Sequence, residues 1–333
     1  MISLVLNEIT KLIYKRKMLL ILIILIIFAG LFSYGQKFSY DMNIKKLEAT
    51  TGSSDYDWKA VTKQRLEDLK KQTNNQFIPE GVRDALTSQM EQLNYYVEND
   101  IDPITPTAAK FSVDFVESGI TLFIPLLIII LAADLVSGEF SKKTIKILLT
   151  RAVPRWKILL SKFIALVSMT TLLVFMIWLI STLVSFIFFG KWGYGEPVIT
   201  SFSSLQGGGS LNPIQTISRT DYIILSYSLL WFVCIVIASI TLLISTLFDN
   251  SASAIGIVMS TLIVGQLLQV FLSEWEFVKY LFVTNLDLPS YLTQSYQPIE
   301  GLNLTFSISV LSVWAIISLL IAFQVFKRKD VLV

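Results

Sequence analysis

The sequence contains no histidine and a single cysteine, and these two scarcities exclude several kinds of chemistry. Without histidine, the chain lacks the side chain that most often carries protons and binds metals near neutral pH. Cys234 alone can form no internal disulfide, and a thiolate zinc site needs several cysteines. The phosphate-binding pattern G-x-x-x-x-G-K followed by Ser or Thr is also absent. The sequence therefore predicts a protein that is not an enzyme and that carries no metal or cofactor of its own.

Charge is scarce as well. Only 16% of the 333 residues are charged, against about 25% in soluble domains, whereas 53% are hydrophobic. A membrane-spanning helix needs roughly 17 to 25 mainly apolar residues. Six segments meet this requirement: 18–35, 119–136, 163–189, 222–248, 254–272 and 304–326. The sequence predicts an all-α integral membrane protein with six transmembrane helices, of which the second is kinked at Pro125.

The positive charges predict the orientation of these spans. Lys and Arg cluster before the first span, between the second and third, and after the sixth, in the tail 327–333. Cytoplasmic loops carry such an excess of Lys and Arg, and an even number of spans places both termini on one side. We therefore expect a multi-pass protein of the bacterial cell membrane with both termini cytoplasmic. No A-x-A-like cleavage site follows the first span, which is expected to remain as an anchor.

Three segments are expected on the extracytoplasmic side. The insert 36–118 is polar and contains two predicted helices, 58–72 and 79–97, with Pro79 suited to the start of the second. We interpret them as a helical hairpin that covers the bundle, and a substrate gate or receptor is the alternative. Segment 190–221 is expected to form a loop. Segment 273–303 mixes aromatic and acidic residues and is expected either to lie in the outer interface or to re-enter the bundle.

The N-terminal residues 1–17 show helical periodicity. The apolar positions that share one helix face are Ile2, Val5, Leu6, Ile9, Leu12 and Ile13, and the polar ones opposite are Ser3, Asn7, Thr10 and Lys11. This pattern predicts an amphipathic helix that lies along the cytoplasmic leaflet. A solvated tail is the alternative.

The loop 137–162 between the second and third spans carries most of the positive charge. Gly138 and Glu139 form a polar turn, and Ser141 is the predicted N-cap of a short helix. Its apolar ridge has spacings of three and four residues, with basic residues around it: Ile145, Leu148 and Leu149, flanked by Lys142, Lys143 and Lys146. Such a ridge suits insertion into a groove on another protein. The alternative is that these charges serve only to keep the loop inside.

This passage, "ADLVSGEFSKKTIKILLTRAVPRWKILLSKFI", resembles the same loop of the type-two ATP-binding-cassette (ABC) export permeases. In that family an acidic residue and "GE" precede "GT"-like residues, "LL", a Pro-Arg turn and a Lys. The matching positions are Asp134, Gly138, Glu139, Thr144, Leu148, Leu149, Pro154, Arg155 and Lys162. Lys143 stands where the family usually has glycine. "LISTLFDNSASAIGI", residues 243–257, resembles the family's tight turn between the fourth and fifth spans.

The resemblance implies a permease subunit of an ABC exporter. Residues 141–150 would then be a coupling helix that contacts a separate cytoplasmic ATPase, and ATP and Mg would bind to that partner. A second permease chain, identical or related, would complete the pathway, and re-entrant helices would follow the fifth span. The partners expected are the ATPase subunits, the second permease and the lipid bilayer, without nucleic acid.

Polar residues inside the spans are few. Gln266 and Gln269 share a face of the fifth span, and Thr170 and Thr171 lie in the third. Interhelical hydrogen bonds, worth about 0.6 kcal/mol each, explain them, and a pathway lining is the alternative. A mostly apolar pathway suits an amphipathic or hydrophobic cargo, such as an antimicrobial peptide, a drug or a lipid-like molecule.

Two other functions stay open. A membrane sensor or immunity protein would use the extracytoplasmic insert as its binding module. An ion-coupled secondary transporter needs intramembrane carboxylates or comparable polar sites, and the predicted spans contain almost no ionisable residues.

Overall fold

The computed structural model describes residues 1–51, 58–74, 80–145, 153–200, 215–272, 275–292 and 302–329. The first α-helices along the chain are α1 (Ile2–Tyr14), α2 (Lys17–Thr51), α3 (Trp58–Thr73), α4 (Glu80–Glu98), α5 (Ala108–Gly119), α6 (Phe123–Ala132) and α7 (Ser137–Ser141). The remaining ones are α8 (Arg155–Phe189), α9 (Arg219–Leu247), α10 (Ser251–Phe271) and α11 (Leu304–Arg328). Two short antiparallel strands, β1 (Pro197–Thr200) and β2 (Gln215–Ser218), pair with Pro197 opposite Ser218.

Several of these helices are long and apolar enough to cross a membrane. They are α8 to α11 and the Lys17–Lys45 part of α2, and the bent pair α5–α6 makes a sixth if it counts as one span. The prediction of a multi-pass helical membrane protein is confirmed at this level. The structure is consistent with the predicted all-α class, and the short strands β1 and β2 lie in segment 190–221, which was predicted to be a loop.

The second predicted span, 119–136, is not one continuous helix. It begins where α5 ends, and α5 and α6 meet at an angle of 69°. Pro125 explains the break, because in a continuous helix its ring would clash with the carbonyl four residues earlier, that of Thr121. The freed Thr121 carbonyl instead accepts a hydrogen bond from Gln266 Nε2 of α10 at 2.8 Å. A neighbouring helix therefore satisfies the broken backbone.

Helix α9 is the centre of the bundle. In its most apolar stretch 61% of the residues are buried, against 22% in α10 and in α11. It packs against α5, α6, α8, α10 and α11. The outer helices leave wide apolar faces exposed, as expected of helices that face lipid.

Two predicted helix limits differ from the structure. Helix α2 runs on past residue 35 to Thr51, and α8 begins at Arg155, eight residues before the predicted third span. Helix α5, which the sequence assigns to the insert, packs into the bundle, where Phe111 and Phe115 are buried against Phe32 of α2. The two predicted insert helices are confirmed as α3 and α4, which pack against each other.

The segment after α10 is built from 3-10 turns. Among the residues described, it contains Glu276–Tyr280, Val283–Asn285 and Pro289–Leu292, which pack on α9, α10 and α11. Gly265 permits this packing, because a Cβ there would lie 2.6 Å from a methyl carbon of Val283. Whether this segment re-enters the membrane, as the resemblance implies, stays a prediction.

Candidate functional site

Helix α1 is amphipathic, as predicted, but the inward side of the helix is polar as well as apolar. Glu8 is only 4% exposed and Leu12 is buried beside it, where α1 packs on α8 and α2. Ile2, Leu6 and Ile13 are exposed on the opposite side. One face of the helix therefore packs on the bundle, and an apolar face is exposed. That the helix lies along the cytoplasmic leaflet stays a prediction.

Glu8 enters a cluster of two acids and two bases. Its carboxylate accepts from Lys11 Nζ and from Lys162 Nζ, each at 2.8 Å. Glu139 Oε1 lies 3.0 Å from Lys11 Nζ and 2.8 Å from Lys162 Nζ. We call Glu8, Lys11, Glu139 and Lys162 the N-terminal latch. It joins α1 to α7 and to α8, whose Lys162 is 0% exposed.

A second ion-pair group lies beside the latch, on Asp134. Lys15 and Lys17, at the junction of α1 and α2, place their ammonium groups 2.8 and 3.1 Å from Asp134 Oδ2. Ser251 Oγ, at the start of α10, donates to Asp134 Oδ1 at 2.7 Å. Gly138 is required here, because a Cβ at that position would lie 2.1 Å from the same oxygen. This group connects the chain after α6 to three other helices.

The electrostatics of the two clusters keep Glu8, Lys11 and Asp134 ionised. Burial alone would raise the pKa of Glu8, but the charges and hydrogen bonds of Lys162 and Lys11 outweigh it and lower the pKa. Burial would lower the pKa of Lys11, yet Glu8 and Glu139 raise it. For Asp134, burial opposes ionisation, but hydrogen bonds from Lys15 and Ser251 and the charges of Lys15 and Lys17 lower the pKa to about 2. At neutral pH Glu8, Lys11 and Asp134 are therefore charged, whereas Glu139 Oε2 is buried without a hydrogen-bond partner among the described residues.

The turn that carries Gly138 and Glu139 is the short helix α7. The prediction of Ser141 as an N-cap is wrong, because Ser141 is the last residue of α7 and its hydroxyl donates to the Asp249 carbonyl at 2.6 Å. The chain then passes through Lys143 with φ of 57°, the left-handed region. That conformation costs a non-glycine residue about 1 kcal/mol, and Lys143 stands where the family that the sequence resembles usually has glycine.

The structure brings several of the predicted coupling residues to one cleft of about 340 Å³. Gly138, Glu139 and Thr144 line it together with Leu4 and Asn7 of α1. Thr144 is held there by its amide, which donates to the Glu139 carbonyl at 3.0 Å.

Other coupling residues lie elsewhere. Ile145 is 2% exposed and packs into the core of this chain, so it is not a surface anchor here. Leu148 and Leu149 lie outside the described residues. Pro154 precedes α8 in an extended conformation, and Arg155 donates to the carbonyls of Lys327 and Lys329.

The four predicted lining residues have different neighbours. Gln266 bonds the Thr121 carbonyl and Gln269 is half-buried, both on α10. Thr170 is buried on α8, and its hydroxyl has no partner among the described residues. Thr171 is exposed and accepts from Trp231 Nε1 at 2.8 Å, at the edge of an apolar groove of about 610 Å³ between α8 and α9. A pathway lining by all four residues stays a prediction.

Sequence reasoning missed Glu8 of the N-terminal latch and a polar stripe on α5. Lys110, Asp114 and Glu117 lie at helical spacing, and their partners are the Pro103 carbonyl, Gln36 and the Tyr222 hydroxyl. The spacing of these residues was readable, but their place in the bundle was not. Within the described ranges, no three His, Cys, Asp or Glu side chains are arranged to hold a metal ion.

Comparison with known proteins assigns the family. The family described as "Protein of unknown function (DUF2705)" matches residues 87–332. The uncharacterized protein YhcI of Bacillus subtilis strain 168 is 28% identical over 287 residues, which cover 85% of this chain and 87% of that protein. The uncharacterized membrane protein YdbK of the same strain is 29% identical over 219 residues, 64% of this chain and 80% of that protein. Because the family match extends from α4 through α11, the chain belongs to the DUF2705 family.

Proposed function

We propose that this chain is the permease subunit of an ABC exporter of the bacterial cell membrane. Its termini would be cytoplasmic, and separate cytoplasmic ATPase subunits would bind ATP and Mg and drive it. A second permease chain, identical or related, would enclose the pathway with it. The observation that supports this proposal best is the N-terminal latch, which fixes the Glu139 turn to two helices through ion pairs of 3.0 and 2.8 Å to Lys11 and Lys162.

A segment that receives mechanical work must be firmly joined to the helices that it moves. Glu139 binds α1 through Lys11 and α8 through Lys162. Four residues before Gly138, Asp134 binds the α1–α2 junction and α10. A displacement of the α7 turn would therefore reach α1, α2, α8 and α10 together. The ATPase would shift the permease between two conformations through its different affinity for each.

The apolar groove between α8 and α9 supports a hydrophobic or amphipathic cargo. Phe175, Trp178 and Trp231 line it, and the described residues around it include no charged side chain. An antimicrobial peptide, a drug or a lipid-like molecule would suit such a surface. The groove lies between α8 and α9, which are long and apolar enough to cross the membrane, so a cargo dissolved in the bilayer would have access to it.

The proposal is tested by purifying the full-length chain from native membranes in mild detergent. A P-loop ATPase should co-elute, and its ATP hydrolysis should depend on the permease. Glu139→Gln should lower the ATP hydrolysis, whereas Glu98→Gln, an exposed site at the end of α4, should not. Solute movement by the chain alone in liposomes, without any nucleotide-hydrolysing partner, would refute the proposal.

The polar stripe on α5 favours one second candidate, an ion-coupled carrier. Lys110, Asp114 and Glu117 belong to a helix that packs against α8 and α9 rather than to a separate insert. Intramembrane ionisable side chains are typical of ion-coupled transport. An ion gradient that drives uptake or export in proteoliposomes without ATP would support this candidate over the first.

A further inference from the structure

The first residue after α11, Lys329, contacts several other elements of the bundle. Lys329 Nζ lies 2.7 Å from the Thr246 carbonyl and 2.7 Å from Asp249 Oδ1. The same ammonium stands 4.2 Å from the ring centroid of Phe140, in α7. One side chain therefore joins the end of α11, the end of α9, the α9–α10 turn and the Gly138–Glu139 turn.

Three further hydrogen bonds complete the arrangement. Arg155, the first residue of α8, donates to the carbonyls of Lys327 at 3.2 Å and Lys329 at 2.9 Å. Ser141 donates to the Asp249 carbonyl at 2.6 Å. The last carbonyls of a helix lack intrahelical donors and form its negative end, so a cation there is favourable. Lys329 fills this role for α9, and Arg155 fills it for α11.

We propose that Lys329 is a positioning residue of the Glu139 turn. With Phe140, Ser141, Arg155 and Asp249 it forms what we call the C-terminal latch. The N-terminal latch holds α7 through Glu139, and the C-terminal latch holds it through the next two residues, Phe140 and Ser141. A movement of the turn is thereby transmitted to α11 as well as to α1 and α8. Its part in coupling rests on the proposed function, whereas the contact itself does not.

Lys329→Met is the direct test, because methionine keeps a long apolar side chain over Phe140 and removes the charge and the donors. Hydrogen–deuterium exchange of the full-length chain in lipid nanodiscs should show about tenfold faster exchange in Ser137–Ser141 and at the α9–α10 turn. Exchange in α1 should stay at the wild-type rate. Lys329→Arg should restore protection, because arginine keeps the charge and the ring contact.

Lys327→Met is the matched control. It removes the same charge two residues away, at an exposed position whose carbonyl, not its side chain, binds Arg155. Unchanged exchange at α7 in Lys329→Met, or equal acceleration in Lys327→Met, would overturn the proposal. If Lys329→Met does not fold, Asp249→Asn provides the test of the proposal. It weakens only the ion pair between Lys329 and the exposed Asp249, and it should accelerate amide exchange in α7 about threefold.

A separate measurement tests the coupling role. With a co-eluting ATPase, Lys329→Met should keep the amount of bound partner but lower permease-dependent ATP hydrolysis at least fivefold, and Lys329→Arg should restore it. Full hydrolysis in Lys329→Met would overturn that role. If no ATPase co-elutes, the proposed function is refuted. The hydrogen–deuterium exchange result then still tests whether Lys329 positions the Glu139 turn.

Discussion

Lys162→Met is the sharpest perturbation of the N-terminal latch. Lys162 is fully buried and pairs with both Glu8 and Glu139. Methionine fills nearly the same space, so the change removes a charge without opening a large cavity. Two buried carboxylates are then left with Lys11, whose side chain is 38% exposed.

The expected size follows from the unpaired charge. Removal of one partner from a buried ion pair costs about 3–5 kcal/mol. Because Lys11 still neutralises part of the charge, we expect the lower end, about 3 kcal/mol in the docking of α1, or roughly 100-fold in its opening equilibrium. Hydrogen–deuterium exchange of α1 amides measures this, with α9 amides as the internal reference. Lys157→Met, on the same helix beside Trp156, is the control and should leave α1 protected.

The double variant Glu8→Gln with Lys162→Met separates charge balance from packing. It removes one acid and one base and leaves the Lys11–Glu139 pair, so it should lose less than the two single variants together. The coupling energy should be about 1–3 kcal/mol. Wild-type exchange of α1 in Lys162→Met, or strict additivity in the double variant, would refute the reasoning.

Four more outcomes are expected. Gly138→Ala places a Cβ 2.1 Å from an Asp134 oxygen, so the melting temperature in detergent should fall by the equivalent of about 1–3 kcal/mol. Gln266→Leu leaves the Thr121 carbonyl without its donor and should destabilise by about 1–3 kcal/mol in the same assay. The pKa of Asp134 is lowered from 3.8 to about 2, so its ion pairs contribute about 2 kcal/mol of stability above pH 4, and this is lost as the pH falls toward 2. The protection of α1 and α2 amides from hydrogen exchange, corrected for intrinsic rates, should therefore be constant from pH 5 to 8. Leu148→Asp should abolish ATP-stimulated export and leave membrane insertion intact.

Each of these has a contrary result. An unchanged melting temperature in Gly138→Ala or Gln266→Leu would mean that the backbone relaxes and satisfies these groups otherwise. A loss of α1–α2 protection near pH 6 would place the pKa of Asp134 far above the value that its partners support. Normal export by Leu148→Asp would reject that residue as a partner anchor.

Most of the helices could be predicted from the sequence because their signals are local. The apolar runs, the periodicity of residues 2–13 and the spacing in the insert each depend on neighbours within a few turns. The break between α5 and α6 was missed because Pro125 suggested only a kink. The break lies at Thr121 because Gln266 of another helix donates a hydrogen bond to the Thr121 carbonyl there.

The site was recognised only in part. The resemblance drew attention to Asp134, Gly138, Glu139 and Lys162, but an isolated Glu8 in an apolar helix looks like an ordinary solvated acid. Ile145 matched a surface ridge by spacing and is instead buried. Spacing defines the face of a helix, and it does not say whether that face meets a partner or the chain itself.

By itself the amino-acid sequence determined that this is a multi-pass helical membrane protein, since hydrocarbon length and helical period are properties of short segments. Only the tertiary structure decided which charges pair. Glu8 and Lys162 are 154 residues apart, and Lys329 and Asp249 are 80 apart. Such contacts form because folding brings distant helix ends to one face, where an unpaired buried charge would be too costly to keep.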